Sequence, residues 1–258
     1  MVRRALILAA SLWALAASGA HAQGAGVRCR LALVLALDVS SSVDAAEFDL
    51  QRKGLAAALD APEIRHAILS GERGAVALSV YQWSGFNQQD EALGWIMLRD
   101  GAAIDRAVVA LAGMERKHAR FPTSIGAALG FGATLLRKGP DCTRRVIDIS
   151  GDGVNNYRFG PRAAYRHFPF TGVTVNGLVI LGDEPGVESY YAREVLHGPG
   201  AFLVIAAGYG EFRAAMTRKL YREIGGLLIG RTRTEDMFAS RESGMQLPRA
   251  SAPVLHIQ

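Results

Sequence analysis

The segment Leu31–Ser42, with the sequence LALVLALDVSSS, decides the fold class of this chain. Its apolar residues run without interruption up to Asp38, and three serines follow within four positions. An apolar run of this length is typical of a strand that is buried on both faces, as strands of parallel sheets are. The polar residues then follow the carboxyl end of the strand, where doubly wound α/β folds bind their ligands.

Strand and helix patterns alternate along the rest of the chain. Further strands are predicted at Ala75–Trp83, Leu93–Leu98, Arg145–Ser150, Val173–Ile180 and Ala201–Ala206. Helical patterns occur at Ala45–Leu59, Glu63–Leu69, Ala102–Leu111, Ser124–Leu136, Glu188–Leu196 and Gly210–Ile224. This alternation predicts an α/β fold, a doubly wound and mainly parallel six-stranded sheet with helices on both faces.

The first 22 residues, MVRRALILAASLWALAASGAHA, have the pattern of a secretory signal. Arg3 and Arg4 precede an apolar run, and small residues follow, ending in Ala20-His21-Ala22. We therefore expect cleavage after Ala22 and a periplasmic or secreted mature protein. An uncleaved anchor helix is the alternative, but the run is shorter than the roughly 20 residues that span a bilayer. No later stretch is long enough to span one, so no transmembrane segment is expected in the mature chain.

The remaining chain divides into three predicted parts. Residues 23–28 are a short linker, and residues 29–226 form one folded domain. Residues 227–258 contain several Ser, Arg and Pro residues without a clear period, which predicts a flexible tail.

Composition excludes several classes of protein. About half of the 258 residues are hydrophobic and 21% are charged, which excludes disorder over the whole chain. The formal net charge is +5, or +3 without Arg3 and Arg4, and basic residues are interspersed with acidic ones. A nucleic-acid partner is therefore not expected. The P-loop, G-x-S-x-G, H-E-x-x-H and C-x-x-C signatures of common enzyme classes are absent.

The two cysteines, Cys29 and Cys142, each stand just before an apolar strand. In an exported chain two cysteines favour a disulfide over a metal site. If the two strands are parallel neighbours, both cysteines lie at the same end of the sheet, as the geometry of a disulfide requires. Two buried free thiols are the alternative.

Polar residues at three predicted loops suggest a metal site. Asp38, Ser40 and Ser42 form a D-x-S-x-S pattern after the first strand, Thr123 precedes a helix, and Asp152 follows the strand that ends at Ser150. Two carboxylates and three hydroxyls suit a hard divalent cation such as Mg²⁺, which takes oxygen ligands and keeps bound waters. Taken singly, each residue also suits a helix cap or a turn. Their occurrence together at strand ends favours the metal site.

One acidic residue is expected to have a different role. Asp148 lies within an apolar strand, between Ile147 and Ile149. We expect a buried carboxylate paired with an arginine or with backbone amides, and not a metal ligand.

These motifs resemble the von Willebrand factor type A (vWA) domain and its metal-ion-dependent adhesion site (MIDAS). The D-x-S-x-S at Asp38–Ser42, Thr123, and Asp152 in Ser150–Gly153 match the three motif segments. The resemblance covers roughly residues 29–226. A family of exported bacterial proteins with this fold and no assigned function is more similar still. That similarity rests on Trp83–Gly85, Arg144–Gly153, Val175–Leu178 and Gly198–Phe202.

The resemblance carries further expectations for the fold and the site. It implies the strand order 3-2-1-4-5-6, with Leu93–Leu98 as an antiparallel edge strand. The first and fourth strands are then neighbours, which supports the pairing of Cys29 with Cys142. It also implies that the three hydroxyl residues ligate the ion directly, and that the two aspartates do so directly or through water.

Three functional hypotheses follow. The first is a non-enzymatic binding module that holds Mg²⁺, or Mn²⁺ or Ca²⁺, and binds a carboxylate of a protein or peptide partner. The second is a metal-dependent hydrolase, similar to a phosphoesterase, that uses the same metal site. The third is a structural domain with a vestigial site. Turnover of phosphate esters would identify the second, and a chain without any response to metal would identify the third.

Overall fold

The structure of the chain is a computed structural model that describes residues 28–70 and 74–229. The predicted signal peptide, residues 23–27 of the predicted linker and residues 230–258 of the predicted tail lie outside the described residues. Among the helices of the described residues, none combines the length and the apolar character that a membrane span requires.

Six strands form one sheet in the described part of the chain. They are β1 Cys29–Asp38, β2 Ala75–Trp83, β3 Gln89–Leu98, β4 Arg144–Gly151, β5 Val173–Ile180 and β6 Leu203–Ala206. Their order is β3-β2-β1-β4-β5-β6. All neighbouring strands are parallel except β2 and β3, which pair antiparallel at one edge. The predicted sheet, with its order and its single antiparallel edge strand, is confirmed.

Seven α-helices lie in the same residues. They are α1 Ala45–Leu59, α2 Pro62–Leu69, α3 Gly101–Ala112, α4 Ile125–Lys138, α5 Pro161–His167, α6 Val187–Tyr190 and α7 Phe212–Ile229. A π-helical turn, Tyr191–Val195, continues α6, and a 3₁₀ turn, Tyr209–Glu211, precedes α7.

The central strand β1 contributes to two hydrophobic cores. Leu33 and Leu35 belong to a cluster with apolar residues of α1, α2, α3 and α7. Val34 and Ala36 belong to a second cluster with residues of α4 and α5 on the opposite face. Because successive side chains of a strand point to opposite faces, helices on both sides require an uninterrupted apolar run. This requirement explains the sequence of β1.

The structure differs from the predicted elements in several bounds. Helix α5 was not predicted, because seven residues are too few to show helical periodicity. Strand β3 begins at Gln89 and not at Leu93. The sequence pattern did not indicate its first half because these residues are mostly polar and only partly buried. The predicted helix Glu188–Leu196 divides into α6 and the π-helical turn. Helix α7 continues past the predicted end at Ile224, to Ile229.

A disulfide joins Cys29 and Cys142, and their Cα atoms are 4.6 Å apart. Cys29 begins β1 and Cys142 lies two residues before β4, which is the parallel neighbour of β1. The predicted pairing is therefore present in the structure. The bond fastens the amino ends of these strands, at the edge of the sheet opposite to their polar loops.

Candidate metal centre

The predicted site residues meet at the carboxyl edge of the sheet. Asp38 is the last residue of β1, Asp152 follows β4, and Thr123 lies two residues before α4. Strands β1 and β4 are neighbours in the sheet although β2 follows β1 in the chain. The strand order therefore reverses between them, and such a switch point is where doubly wound sheets form ligand crevices.

Helix capping does not account for these polar residues. Asp44 caps α1: its carboxylate accepts from Glu47 N at 2.8 Å, and Glu47 Oε2 accepts from Asp44 N at 2.7 Å. At α4 the N-cap position belongs to Ser124, which makes no side-chain capping bond. Neither Asp38 nor Thr123 therefore caps a helix.

The side chains of four of the five predicted ligands form one connected chain of oxygen atoms. Thr123 Oγ1 donates to Ser40 Oγ at 3.2 Å, and Ser40 Oγ lies 3.2 Å from Ser42 Oγ. Ser42 Oγ then donates to Asp152 Oδ1 at 2.8 Å. The structure therefore brings together hydroxyls and a carboxylate from three separate loops. These four side chains, together with Asp38, are called the rim below.

Asp38 is fully buried, and one of its carboxylate oxygens has no partner within residues 28–70 and 74–229. Oδ1 accepts from Ser40 N at 2.8 Å, but Oδ2 accepts no hydrogen bond from the described residues. Burial raises the pKa of Asp38 to about 7, and the charge of Asp152 contributes in the same direction. The hydrogen bonds from Ser40 and the charge of Arg116 act against that rise. A cation beside Oδ2 would offset the cost of this buried anion.

The geometry of the rim fits a small divalent cation. Ligands of Mg²⁺ lie about 2.1 Å from the ion, so adjacent octahedral ligands are about 3 Å apart. The three oxygen–oxygen distances that link Thr123, Ser40, Ser42 and Asp152 are 2.8–3.2 Å. No group of three or more His, Cys, Asp or Glu side chains suited to a metal occurs among residues 28–70 and 74–229. A cation here would therefore depend on the hydroxyls as well as on two carboxylates.

Gly151 leaves the space in which the Asp38 carboxylate lies. A Cβ atom at this position would be 2.8 Å from Asp38 Oδ2 and 2.6 Å from the hydroxyl of Tyr191. Tyr191 is fully buried, and its hydroxyl also lacks a partner among the described residues. Burial raises the pKa of Tyr191 well above its usual range, and the charge of Asp38 adds to this. Two unpartnered oxygens thus face one glycine.

Gly151→Ala is expected to lower the free energy of unfolding by about 1–3 kcal/mol, because an added methyl group would displace Asp38 or Tyr191. Gly153→Ala is the matched control. Its Cβ would lie 3.6 Å from Thr123 Oγ1, an ordinary contact, and its effect should be clearly smaller. Urea denaturation in metal-free buffer measures both. Equal losses for the two variants would contradict the assigned role of Gly151.

Two residues of the site have no local signal in the sequence. The hydroxyl of Tyr209 donates to Asp152 Oδ2 at 3.1 Å, and burial followed by the charge of Asp152 raises the pKa of Tyr209. The guanidinium of Arg116 donates to the carbonyls of Ser40, at 3.0 Å, and Val43. Both contacts join segments far apart in the chain, so no spacing pattern could have indicated them.

Two asparagines after Asp152 hold the Thr123 segment in place. Asn156 Oδ1 accepts from Thr123 N at 2.9 Å, and Asn155 Oδ1 accepts from Gly126 N at 3.2 Å. Asn156 N in turn donates to the carbonyl of Thr123 at 3.0 Å. The loop after β4 is therefore tied to the start of α4, which fixes the position of Thr123 relative to Asp152.

Comparison with family models matches residues 28–228 to a family described as "Protein of unknown function (DUF1194)". The chain belongs to the DUF1194 family. A comparison of its sequence with curated proteins finds no match.

Solved structures of other proteins share the fold of this DUF1194 member. The mussel byssus protein PTMP1, in a structure with a zinc-occupied MIDAS motif, is 15% identical with a TM-score of 0.57, over 77% of this chain and 48% of that one. A von Willebrand factor type A protein from Catenulispora acidiphila is 14% identical with a TM-score of 0.56, over 76% and 43%. The pilus adhesin SpaC from Lactobacillus rhamnosus GG is 14% identical with a TM-score of 0.55, over 78% and 31%.

At these identities the likeness concerns the fold. This chain spans about half the length of the mussel protein and less of the other two. The resemblance to the vWA domain, stated from the motifs, is confirmed at the level of the fold.

Proposed function

We propose that this chain is an exported binding module that holds a divalent cation at the rim and uses it to bind an acidic group of a protein or peptide partner. Ser40, Ser42 and Thr123 would ligate the ion directly, and Asp38 and Asp152 directly or through water. Mg²⁺ is the expected ion, with Mn²⁺ and Ca²⁺ as alternatives that also take oxygen ligands.

The buried Asp38 carboxylate with its unpartnered oxygen is the observation that carries this proposal. Such a group is costly unless a positive charge compensates it, and the nearby Asp152 increases that cost. Where Asp38 and Asp152 hold the ion through bound water, its direct protein ligands are neutral hydroxyls, and the ion can accept a further anionic ligand. A carboxylate from a partner suits that vacant position.

The solved structures support a binding role. PTMP1 has a structure with a zinc-occupied MIDAS motif, and SpaC is a pilus adhesin. Both share the fold within which Asp38, Thr123 and Asp152 meet. The disulfide supports export, because such bonds persist mainly in oxidising compartments. We propose the periplasm or the exterior of the cell as the location, after cleavage at Ala22.

A phosphoesterase-like hydrolase is the less favoured alternative. Among residues 28–70 and 74–229, the groove beside the rim is lined by four carboxylates and by no Lys, Arg or His. A phosphate ester would therefore meet negative charge without a basic side chain to bind it or to serve as general acid. A partner that offers a carboxylate next to a positively charged group suits this acidic groove better.

Titration calorimetry of the mature chain with Mg²⁺ and with Mn²⁺ tests the proposal. We expect binding by the wild type and at least ~100-fold weaker binding by Asp38→Asn and Asp152→Ala, since loss of a supporting residue alone typically costs 10–100-fold. Asp38→Asn should also maintain or raise stability in metal-free buffer, because it removes a buried charge.

Asp44→Asn is the matched control for charge. It removes a negative charge near the rim, and asparagine caps a helix as well as aspartate does. Its affinity for metal should stay close to that of the wild type. A parallel titration contains acetate, which supplies the carboxylate of the absent partner. A folded wild-type chain that binds neither ion, with or without acetate, would contradict the proposal and favour a vestigial site.

A further inference from the structure

A groove of about 540 Å³ opens onto the rim. Ser42, Thr123 and Asp152 form part of its wall, so the groove is continuous with the proposed metal site. Its other walls come from the start of α1, the loop after β5 and the turn before α7. A partner bound to the cation would therefore extend over or into this groove.

Within the part of the chain that the structure describes, the charged side chains that line the groove are all acidic. They are Glu47, Asp152, Asp183 and Glu184. Asp183 and Glu184 are exposed, and neither they nor Glu47 take part in a salt bridge within the described residues. The groove thus presents uncompensated negative charge to any ligand of the rim.

A cation at the rim would compensate only part of this charge. It would lie beside Asp152 and the unpartnered, fully buried oxygen of Asp38. Glu47, Asp183 and Glu184 would remain to repel a partner that offered a carboxylate alone. A positive group next to that carboxylate would turn this repulsion into attraction.

Apolar surface in the groove suits the stem of a long basic side chain. Leu50 is 46% exposed and Leu181 is 39% exposed, and both line the groove. Lys and Arg side chains lay their methylene groups along such surface and keep their charge near acids or water. A volume of about 540 Å³ has a linear extent on the order of 8 Å, which corresponds to two to three residues of extended peptide.

We propose that the groove receives a Lys or Arg side chain of the same partner segment whose carboxylate binds the cation. The partner is then a segment with an acidic residue and a basic residue within about three positions of each other. This inference rests on the proposed metal-dependent binding and specifies the chemistry of its partner. Acidic segments without a basic residue bind poorly on this account.

Selection from a peptide display library tests the inference. The library has a fixed central aspartate and random residues at the three positions on either side, and selection is carried out on the immobilised mature chain with Mn²⁺ and then with EDTA. We expect peptides retained only with Mn²⁺ to contain Lys or Arg in the random positions at least threefold more often than the unselected library does. The enrichment should disappear for Asp183→Asn/Glu184→Gln, while calorimetry shows metal affinity within threefold of the wild type.

Glu63→Gln/Asp141→Asn is the control with the same loss of charge. Both residues are exposed and lie outside the groove, so this variant should keep the enrichment. Metal-dependent peptides without added Lys or Arg, enrichment that persists in Asp183→Asn/Glu184→Gln, or a metal-binding chain that retains no peptide would each overturn the inference. Failure of the wild type to bind metal in calorimetry would instead overturn the proposed function.

Discussion

Replacing Cys29 and Cys142 together by serine is expected to lower the free energy of unfolding by about 4–5 kcal/mol. The disulfide joins residues 113 positions apart in the chain. In the chain-entropy model, closing a longer loop restricts the unfolded chain more and so stabilises the folded one more. Since single domains are typically stable by about 5–15 kcal/mol, this loss should leave the domain near its limit of stability. The domain therefore suits an oxidising compartment.

Urea unfolding of the oxidised wild type, the reduced wild type and the double-serine variant measures this effect. The reduced and substituted chains should unfold at similar, lower urea concentrations. A loss below about 1 kcal/mol would show that the bond constrains little in the unfolded chain. Metal affinity, measured where the variant is folded, should change little, because the bond lies at the amino ends of β1 and β4 and the rim lies at their carboxyl ends.

Lys219→Met is the second change for which we expect a large effect. Lys219 Nζ lies 3.1 Å from Asp148 Oδ1 and 3.6 Å from Glu223 Oε1, and all three side chains are fully buried. Asn176 donates to Glu223 at 2.5 Å and accepts from Phe202 N at 2.8 Å. The prediction that Asp148 is a buried, paired carboxylate is confirmed, but its partner is this lysine of α7 and not an arginine or backbone amides.

Loss of the ammonium group leaves two carboxyl groups buried without a positive charge. Breaking a buried ion pair in this way typically costs about 3–5 kcal/mol. Burial, and then the charge of Glu223, raise the pKa of Asp148, while Lys219 lowers it. When an acidic group has a higher pKa in the folded than in the unfolded state, the free energy of unfolding of the protein falls as the pH rises through that pKa. The cost of Lys219→Met should therefore be larger at about pH 8 than at about pH 5, where protonation removes the charge.

Denaturation at both pH values measures the effect of Lys219→Met. Arg218→Met is the control, because Arg218 is exposed on the same helix and should change stability by no more than about 0.5 kcal/mol. Lys219→Met combined with Asp148→Asn should recover part of the loss, since it removes one of the unpaired charges. A loss for Lys219→Met no larger than that for Arg218→Met would contradict the expected dependence on charge.

Elements defined by local residue patterns were predicted correctly, and elements that depend on contacts with distant parts of the chain were not. The bounds of α1, β2 and β5 were predicted without error because each has a local pattern of apolar residues or a clear boundary residue. Helix α5 was missed because it is too short for periodicity, and its start depends on Pro161 and on contact with α4. The strand order came from the resemblance of the motifs and not from periodicity.

The α/β class, the buried central strand and the residue types of the candidate site can be predicted from local sequence patterns. These follow from the alternation of side chains along a strand and from the polar residues placed directly after it. The pairing of Cys29 with Cys142 was predicted only on the condition that β1 and β4 are neighbours, which the structure satisfies.

Contacts between groups that are far apart in the chain depend on the three-dimensional packing. Asp148 and Lys219 are 71 positions apart, and Tyr209 reaches Asp152 from a turn 57 positions away. The acidic groove likewise joins Glu47 of α1 to Asp183 and Glu184 after β5. Local sequence patterns cannot specify such contacts, because burial in two cores on opposite faces of one sheet fixes how the helices lie and hence which loops and side chains come together.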